Sequence, residues 1–405
     1  MVLVMAWRNI WRNKMRSLVI ILSVALGLLA GVMVLAIYKG MMRDRIRIVI
    51  EQEVGDLQLH HPEFKKDYDP SYVIDSAKWI IQKTSDNKNV KAFATRTIVQ
   101  GMLSTTTGSA GVQINGVLFE QEALVSQLRK KIKEGRALEA NKNNDVLIGH
   151  KLAKKMKLKL GAKLVLTFTD GQSNIIAGAY RVAGIYESDN APLDEKNVYV
   201  QKKGLNEMLG LHDEQFHELV ILLKNNSLLD STSALLAKNF KNLKVETWKV
   251  VSPETDLMVV TVDAMSYIII GIILFALSFG IVNTMLMAIL ERTREMGMMM
   301  ALGMNKFRMF SLVLLETSFL TFVGVPIGLF ISWILCSYLE VHGINWANMG
   351  KELMSSFGFS TMIYPVFPAE KIGVIIFFVL ITALLSCIYP AIKALQLKPV
   401  EALRK

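Results

Sequence analysis

Ser17-Leu-Val-Ile-Ile-Leu-Ser-Val-Ala-Leu-Gly-Leu-Leu-Ala-Gly-Val-Met-Val-Leu-Ala-Ile-Tyr38 runs for 22 residues without a charge. A helix rising 1.5 Å per residue over that length reaches about 33 Å, enough to cross a hydrocarbon layer of about 30 Å. The run is too long for the core of a signal peptide and lacks a convincing small-x-small cleavage site, so it reads as a retained span. Three more stretches follow it. Ala264–Leu290 and Ile372–Ile392 are uncharged, and Met309–Leu339 carries one acid, Glu316. Four spans place both ends of the chain on one side of a membrane.

The composition of the 405 residues agrees. The chain is 52% hydrophobic, yet it carries 46 Lys+Arg against 35 Asp+Glu, a net charge of +11. Its mean hydropathy is +0.35. Lipid-facing runs alternating with an ordinary charged domain produce that combination, and a purely soluble enzyme or a disordered tail does not. A disulfide-stapled module is excluded because the two cysteines, Cys336 and Cys387, lie inside apolar runs.

Orientation follows from Lys and Arg in short segments beside the spans. Arg8, Arg12, Lys14 and Arg16 precede the first span; Arg292, Arg294, Lys306 and Arg308 lie between the second and third; Lys393, Lys398, Arg404 and Lys405 follow the fourth. The loop 340–371 has only Lys351 and Lys371. These counts predict cytoplasmic termini. Lys39, Arg43, Arg45 and Arg47 point the other way, but they open a long domain, which translocates largely regardless of charge. Residues 40–263 hold 31 basic and 28 acidic side chains, so most of the net charge flanks the membrane.

The fold class expected is an integral membrane α-helical protein of four transmembrane helices, with a large mixed α+β domain inserted between helices one and two. The parts are an interfacial helix 1–16, spans 17–38, 264–290, 309–339 and 372–392, the inserted domain 39–263, a short segment 291–308, a loop 340–371 and a tail 393–405. Ile46, Val49, Ile50 and Glu53 at helical spacing predict a stalk leaving the first span, and residues 252–263 a second stalk returning. Between them, strands are expected at 56–61, 92–100, 111–118, 146–149, 163–169, 179–186, 197–201 and 217–223. Helices are expected at 75–83, 150–159 and 227–239, with a charged, mostly helical stretch at 120–139. Asp170-Gly171 signals a tight turn.

No G-x-x-x-x-G-K-[ST], G-x-S-x-G, H-E-x-x-H or C-x-x-C occurs in the sequence. His60-His61 before Pro62 suggests a strand cap ahead of a metal ligand, and no metal is expected. The six lysines between 151 and 163 read as a solvated helix face, with no nucleic-acid partner. Trp7, Trp11 and Met15 run beside Arg8, Arg12 and Arg16, the pattern of a helix lying in the interface with arginines toward lipid phosphates. Gly27-x-x-x-Gly31 and Gly324-x-Pro326-x-Gly328 permit close helix packing. Glu316, seven residues into the third span, needs a partner, with a hydrogen bond toward segment 291–303 weighed ahead of proton or substrate chemistry.

Glu291-Arg-Thr-Arg-Glu-Met-Gly-Met-Met-Met-Ala-Leu-Gly303 offers small residues for close approach by another protein and methionines for an adaptable apolar surface. It resembles the coupling helix of the FtsX/MacB-type (type VII) permeases of ABC transporters. The ending Tyr389-Pro-Ala-Ile-Lys-Ala394 and Lys398-Pro-Val-Glu-Ala-Leu-Arg404, the start Trp7-Arg-Asn-Ile-Trp-Arg-Asn-Lys14, and Ile148-Gly-His-Lys-Leu-Ala153 with Leu158-Lys-Leu-Gly-Ala-Lys-Leu164 are similar to segments of the same family. Two positions depart: Met300 replaces a frequent Lys or Arg, and Ala162 a frequent Asp.

The resemblance implies a non-enzymatic permease in the bacterial inner membrane. It would pair with a second permease, the same or a sister chain, and with a separate cytoplasmic ATPase dimer that holds ATP and Mg2+. Coupling would fall to Glu291, Arg292, Arg294, Glu295, Gly297, Ala301 and Gly303, and Trp7, Arg8, Trp11 and Arg12 would anchor the interfacial helix among membrane lipids. Work would reach the periplasmic side by mechanotransmission along spans one and two. The plan is closest to the lipoprotein-releasing (LolC/LolE-type) permeases, which implies an acylated lipoprotein and a periplasmic carrier as partners. Met33, Ile37, Met265, Ile268 and Ile272 are the candidate liners of an acyl-chain cleft. The segment 169–179 lacks the proline-containing hook of the carrier-recruiting member. MacB-like export of amphiphiles, peptides or antibiotics, and FtsX-like activation of a cell-wall hydrolase, are the alternatives.

Overall fold

The computed structural model describes residues 2–12, 14–75, 77–346, 350, 354 and 356–395. The ending expected at 398–404, and Lys351, lie outside them. The chain divides into two compact units, Met1–Met42 with Val259–Asn345 and Met362–Lys405, and Arg43–Met258 with Trp346–Thr361.

The first unit is helical. Among the described residues, four helices are long and apolar enough to cross a membrane, Lys14–Val49, Pro253–Glu291, Lys306–His342 and Ile372–Leu395, two of them running on beyond the unit. Asn305 caps the third by accepting from the Phe307 N–H at 3.3 Å, and Gly343, at φ +69°, ends it. Lipid is as apolar as leucine, so these helices are held by close packing more than by exclusion of water. The glycine pairs supply it. A Cβ at Gly328 would lie 2.9 Å from the Ala25 backbone, and one at Gly324 3.1 Å from the Ile21 carbonyl, so the first and third helices touch backbone to backbone. Gly27 and Gly31 face Leu277 and Ile273 of the second helix. The N-terminal helix Val2–Arg12 lies against the third spanning helix and buries Ala6 and Ile10.

The stalks are helical as the spacing predicts. Lys14–Val49 passes into a wider π turn, Ile50–Val54, that ends at Gly55 with φ +70°, and the return is continuous from Pro253.

The second unit is built on ten strands: β1 (Leu57–His60), β2 (Val90–Thr105), β3 (Gly108–Val117), β4 (Ile132–Gly135), β5 (Asp145–Gly149), β6 (Lys163–Thr169), β7 (Ile175–Tyr186), β8 (Asn197–Gln201), β9 (Glu218–Leu223) and β10 (Lys244–Thr247). Six of them, β2-β3-β8-β5-β7-β6, close into a ring because β6 pairs back onto β2. Alternate residues point inward and fill it: Val99, Leu103, Ile114, Val146, Ile148, Leu166, Phe168, Val182 and Val198 share one core. Helices His150–Lys155 and Lys202–Leu209 add Leu152 and Leu205 to that core, and Met156 joins it just past the first of them. The other half of β2 extends the sheet through β9, β1 and β10, which pack Leu57, Leu59, Leu219 and Ile221 with Ile80 and Leu236 of helices Ala77–Ser85 and Leu229–Asn239. β3–β8 and β5–β7 are parallel and the remaining pairs antiparallel, so the mixed α+β class holds. The buried Arg96 is paired. Arg96 grips Glu122 with two bonds of 3.0 and 2.8 Å and also meets Glu218 at 3.4 Å and the Glu53 carbonyl at 2.9 Å.

Three local readings need correction. The charged stretch 120–139 is broken at Gln127, whose φ is +51°, into helices Phe119–Val125 and Leu128–Lys131, and then becomes β4. Asp170-Gly171 opens a five-residue loop, 170–174, in which the Asp170 carboxylate accepts the Gln172 and Asn174 amides, both at 2.8 Å. The helix read to residue 159 stops at Lys155, because the chain takes φ +52° at Lys157. His60 is buried at the end of β1 with Nε2 3.2 Å from Glu246, and His61 stacks on Tyr72.

Candidate functional site

The second spanning helix ends at Glu291, and Arg292 leaves helical geometry at φ −105°, ψ 15°. Thr293–Ala301 forms a separate short helix, closed by Gly303 at φ +92° before Asn305 starts the third spanning helix. Arg292 therefore occupies a joint, and its side chain turns inward, where it is 6% exposed. Its Nη1 lies 3.3 Å from each carboxylate oxygen of Glu316, itself 4% exposed, and its Nε donates to Glu295 at 2.9 Å. Glu295 also accepts from Arg12 of the N-terminal helix. Four alternating charges thus link three helices.

Burial alone would raise the pKa of Glu295; the Arg292 hydrogen bond and charge, with those of Arg12, outweigh it and hold the carboxyl below its usual range. Glu316 has the partner the sequence demanded, on the segment expected. A carboxylate buried among apolar helices is tolerable only with such compensation.

This anchoring sorts the seven residues expected to couple. Glu291, Arg294, Ala301 and Gly303 are exposed, Glu295 is half-buried, and Arg292 and Gly297 face the bundle. Met296 is buried beside Gly297, and Met299, Met300 and Met304 pack on the same core. The outward face carries two residues that sequence reasoning passed over, Leu302 at 88% and Phe307 at 74% exposure, with Met298 between the charges. The signal available was a leucine between Ala301 and Gly303, a place with no core to enter.

The interfacial anchor is also divided. Trp7 and Trp11 are exposed and meet edge to face at 6.0 Å, Trp7 touches Phe319 at 5.5 Å, and Arg8 is exposed, while Arg12 is committed to Glu295. Of the expected cleft liners, Met265, Ile268 and Ile272 share the exposed stripe of the second spanning helix with Phe275 and Phe279. Met33 lies elsewhere, its sulfur 3.5 Å from Cys336 of the third helix, and Ile37 is half-buried. The five residues do not form one surface within a single chain.

Residues 17–239 match the MacB-like periplasmic core domain, and residues 267–399 match the FtsX-like permease C-terminal domain. An uncharacterized ABC transporter permease of Methanocaldococcus jannaschii is 22% identical, with 100% of this chain and 97% of that protein aligned. The lipoprotein-releasing system transmembrane protein LolC of Neisseria meningitidis serogroup B is 19% identical over 96% of this chain and 94% of its own length. The macrolide export ATP-binding/permease protein MacB of Campylobacter jejuni is 23% identical over 99% of this chain, which spans 60% of that protein. The periplasmic region of MacB from Actinobacillus actinomycetemcomitans superposes on 53% of this chain with 14% identity and a TM-score of 0.37.

Proposed function

Because the chain belongs to the MacB/FtsX-type permeases of ABC transporters, we propose that it is the membrane subunit through which a separate cytoplasmic ATPase dimer does work at the periplasmic side of a bacterial inner membrane. ATP and Mg2+ would sit on that partner, and the termini and helix Thr293–Ala301 would face it. The observation that carries the reading is the pairing of an outward face, Glu291, Arg294, Met298, Leu302 and Phe307, with an inward anchor, Arg292–Glu316. An exposed apolar patch flanked by charge suits a protein partner. A helix fixed at its base passes displacement into the bundle and does not rotate freely. Lys14–Val49 and Pro253–Glu291 are the proposed levers, since each is one unbroken helix extending past its apolar run.

Co-expression with the cognate ATPase tests the docking face. Leu302→Asp with Phe307→Asp should abolish copurification of the ATPase while leaving the permease folded; undiminished copurification would reject it.

For the substrate we propose lipoprotein release in partnership with a second permease. The support is end-to-end alignment with a LolC protein, and the open stripe Met265–Ile268–Ile272–Phe275–Phe279, which suits acyl chains or a facing permease. Carrier docking is not assigned to the 170–174 loop, which is compact and self-bonded. A native-membrane complex that carries no triacylated protein, with lipoproteins still correctly sorted after depletion, would replace this reading with MacB-like export.

A further inference from the structure

Three charged residues mark the edges of three apolar runs: Lys39 follows the first span, Asp263 precedes the second and Lys371 precedes the fourth. With Glu370 they form a ring. Lys39 Nζ lies 2.6 Å from Glu370, and Lys371 Nζ lies 2.5 Å from Asp263 and 2.6 Å from Ser266 Oγ, over the Tyr267 ring at 5.2 Å. The ring borders a cavity of about 180 Å³ whose apolar lining includes Leu35, Met42, Val259 and Val262. Beyond Leu35 the first and second spanning helices close on each other, with Gly27 and Gly31 against Leu277 and Ile273, so the cavity ends there.

We infer that this cavity binds the head of one zwitterionic phospholipid carrying a primary ammonium, with its phosphate and ammonium in the ring and the start of its acyl chains against Leu35, Met42, Val259 and Val262. Two ammonium groups and two carboxylates make the ring neutral, so an anionic headgroup gains no net attraction. A phosphate can take Lys39 and Lys371 while the lipid's ammonium takes Glu370 and Asp263, and every charge stays paired. A quaternary ammonium cannot donate hydrogen bonds to those carboxylates, which sets phosphatidylethanolamine above phosphatidylcholine. An apolar slot with charges at the depth where spans end matches an amphiphile and no water-soluble ligand. The site lies within one chain and does not depend on which substrate the transporter moves.

The test is native mass spectrometry of the delipidated full-length chain, titrated separately with palmitoyl-oleoyl phosphatidylethanolamine, phosphatidylcholine and phosphatidylglycerol. One phosphatidylethanolamine should be retained at least about fivefold more tightly than either other lipid. Lys39→Gln with Lys371→Gln should remove that preference. The swap Lys39→Glu with Glu370→Lys keeps a neutral ring and should retain most of it, which guards against a variant that merely fails to fold. Equal retention of the three headgroups, tighter phosphatidylglycerol binding, or an unchanged preference in the double glutamine variant overturns the inference.

Discussion

Glu316→Gln is the most informative single substitution because it keeps shape and one acceptor while removing a charge. Arg292 would remain buried, facing a neutral amide. At about 4 Å and an effective dielectric near 20, a charge pair is worth roughly 4 kcal/mol, and removing one partner of a buried pair costs about 3–5 kcal/mol. Two features of the site reduce this. The Arg292–Glu316 contacts are long, at 3.3 Å, and Glu295 keeps its 2.9 Å bond to Arg292. We expect a loss of about 2–3 kcal/mol, near 5–10 °C in Tm at about 2–4 °C per kcal/mol. The assay is a double-mutant cycle on the full chain in nanodiscs, with Glu316→Gln, Arg292→Met and the pair together. Arg292→Met alone should be comparably destabilising, and the pair should cost clearly less than the sum of the two, because the buried charge that each single variant strands is absent from the double variant. ATPase stimulation should fall further than assembly does in Glu316→Gln. Additive effects within about 0.5 kcal/mol would show that the two charges do not sense each other and would refute the reasoning.

Gly328→Ala should destabilise the bundle by about 1–3 kcal/mol, since its Cβ would meet the Ala25 backbone at 2.9 Å, whereas Gly271→Ala, with open space around it, should be neutral or slightly stabilising; thermal melting of the two variants side by side checks this. Arg96→Met leaves Glu122 buried without its cation and Glu218 with only Lys65, at 3.7 Å, and should cost the inserted domain about 3–5 kcal/mol, read as lost amide protection in β2 and β9 by hydrogen exchange. His217 is buried with Nδ1 accepting the Ile98 amide at 2.9 Å and Nε2 facing the Pro70 carbonyl at 3.1 Å, and desolvation depresses its pKa to about 4. Its folded pKa lies below the unfolded value, so its contribution is complete above about pH 6.5 and is lost as pH falls toward 4, by up to roughly 3 kcal/mol. His217→Gln should remove that part of the pH dependence, and parallel slopes for the variant and the parent would contradict it.

The membrane half was legible because a run such as Ser17–Tyr38 has one reading whatever surrounds it. Glycine spacing identified contacts for the same reason: only close packing uses Gly324 and Gly328 on one face. The coupling segment was legible as a motif and illegible as a geometry. Treating Glu291–Gly303 as one helix places Arg292 among the outward charges, but the break at Arg292 points it at Glu316, a partner 24 residues away. In the inserted domain, β6 and β7 follow from local pattern, whereas closure of the ring depends on one edge of β2 passing from β9, at 90–96, to β6, at 101–104. Gly101, whose added Cβ would stand 2.5 Å from the Thr167 carbonyl, permits that approach. β10 escaped notice because Lys-Val-Glu-Thr is polar and becomes a strand only through pairing with β1, nearly two hundred residues earlier.

β2 is one strand of 16 residues shared by two hydrophobic cores, with Val99 and Leu103 in the closed ring and Ala92 and Phe93 in the open extension. A beam common to two boxes ties their fates. The ring cannot shed β2 without stripping β9 of its neighbour, and the extension cannot peel away without tugging a stave of the barrel. Such a strand joins the two cores, so that strain applied to either is carried into the other.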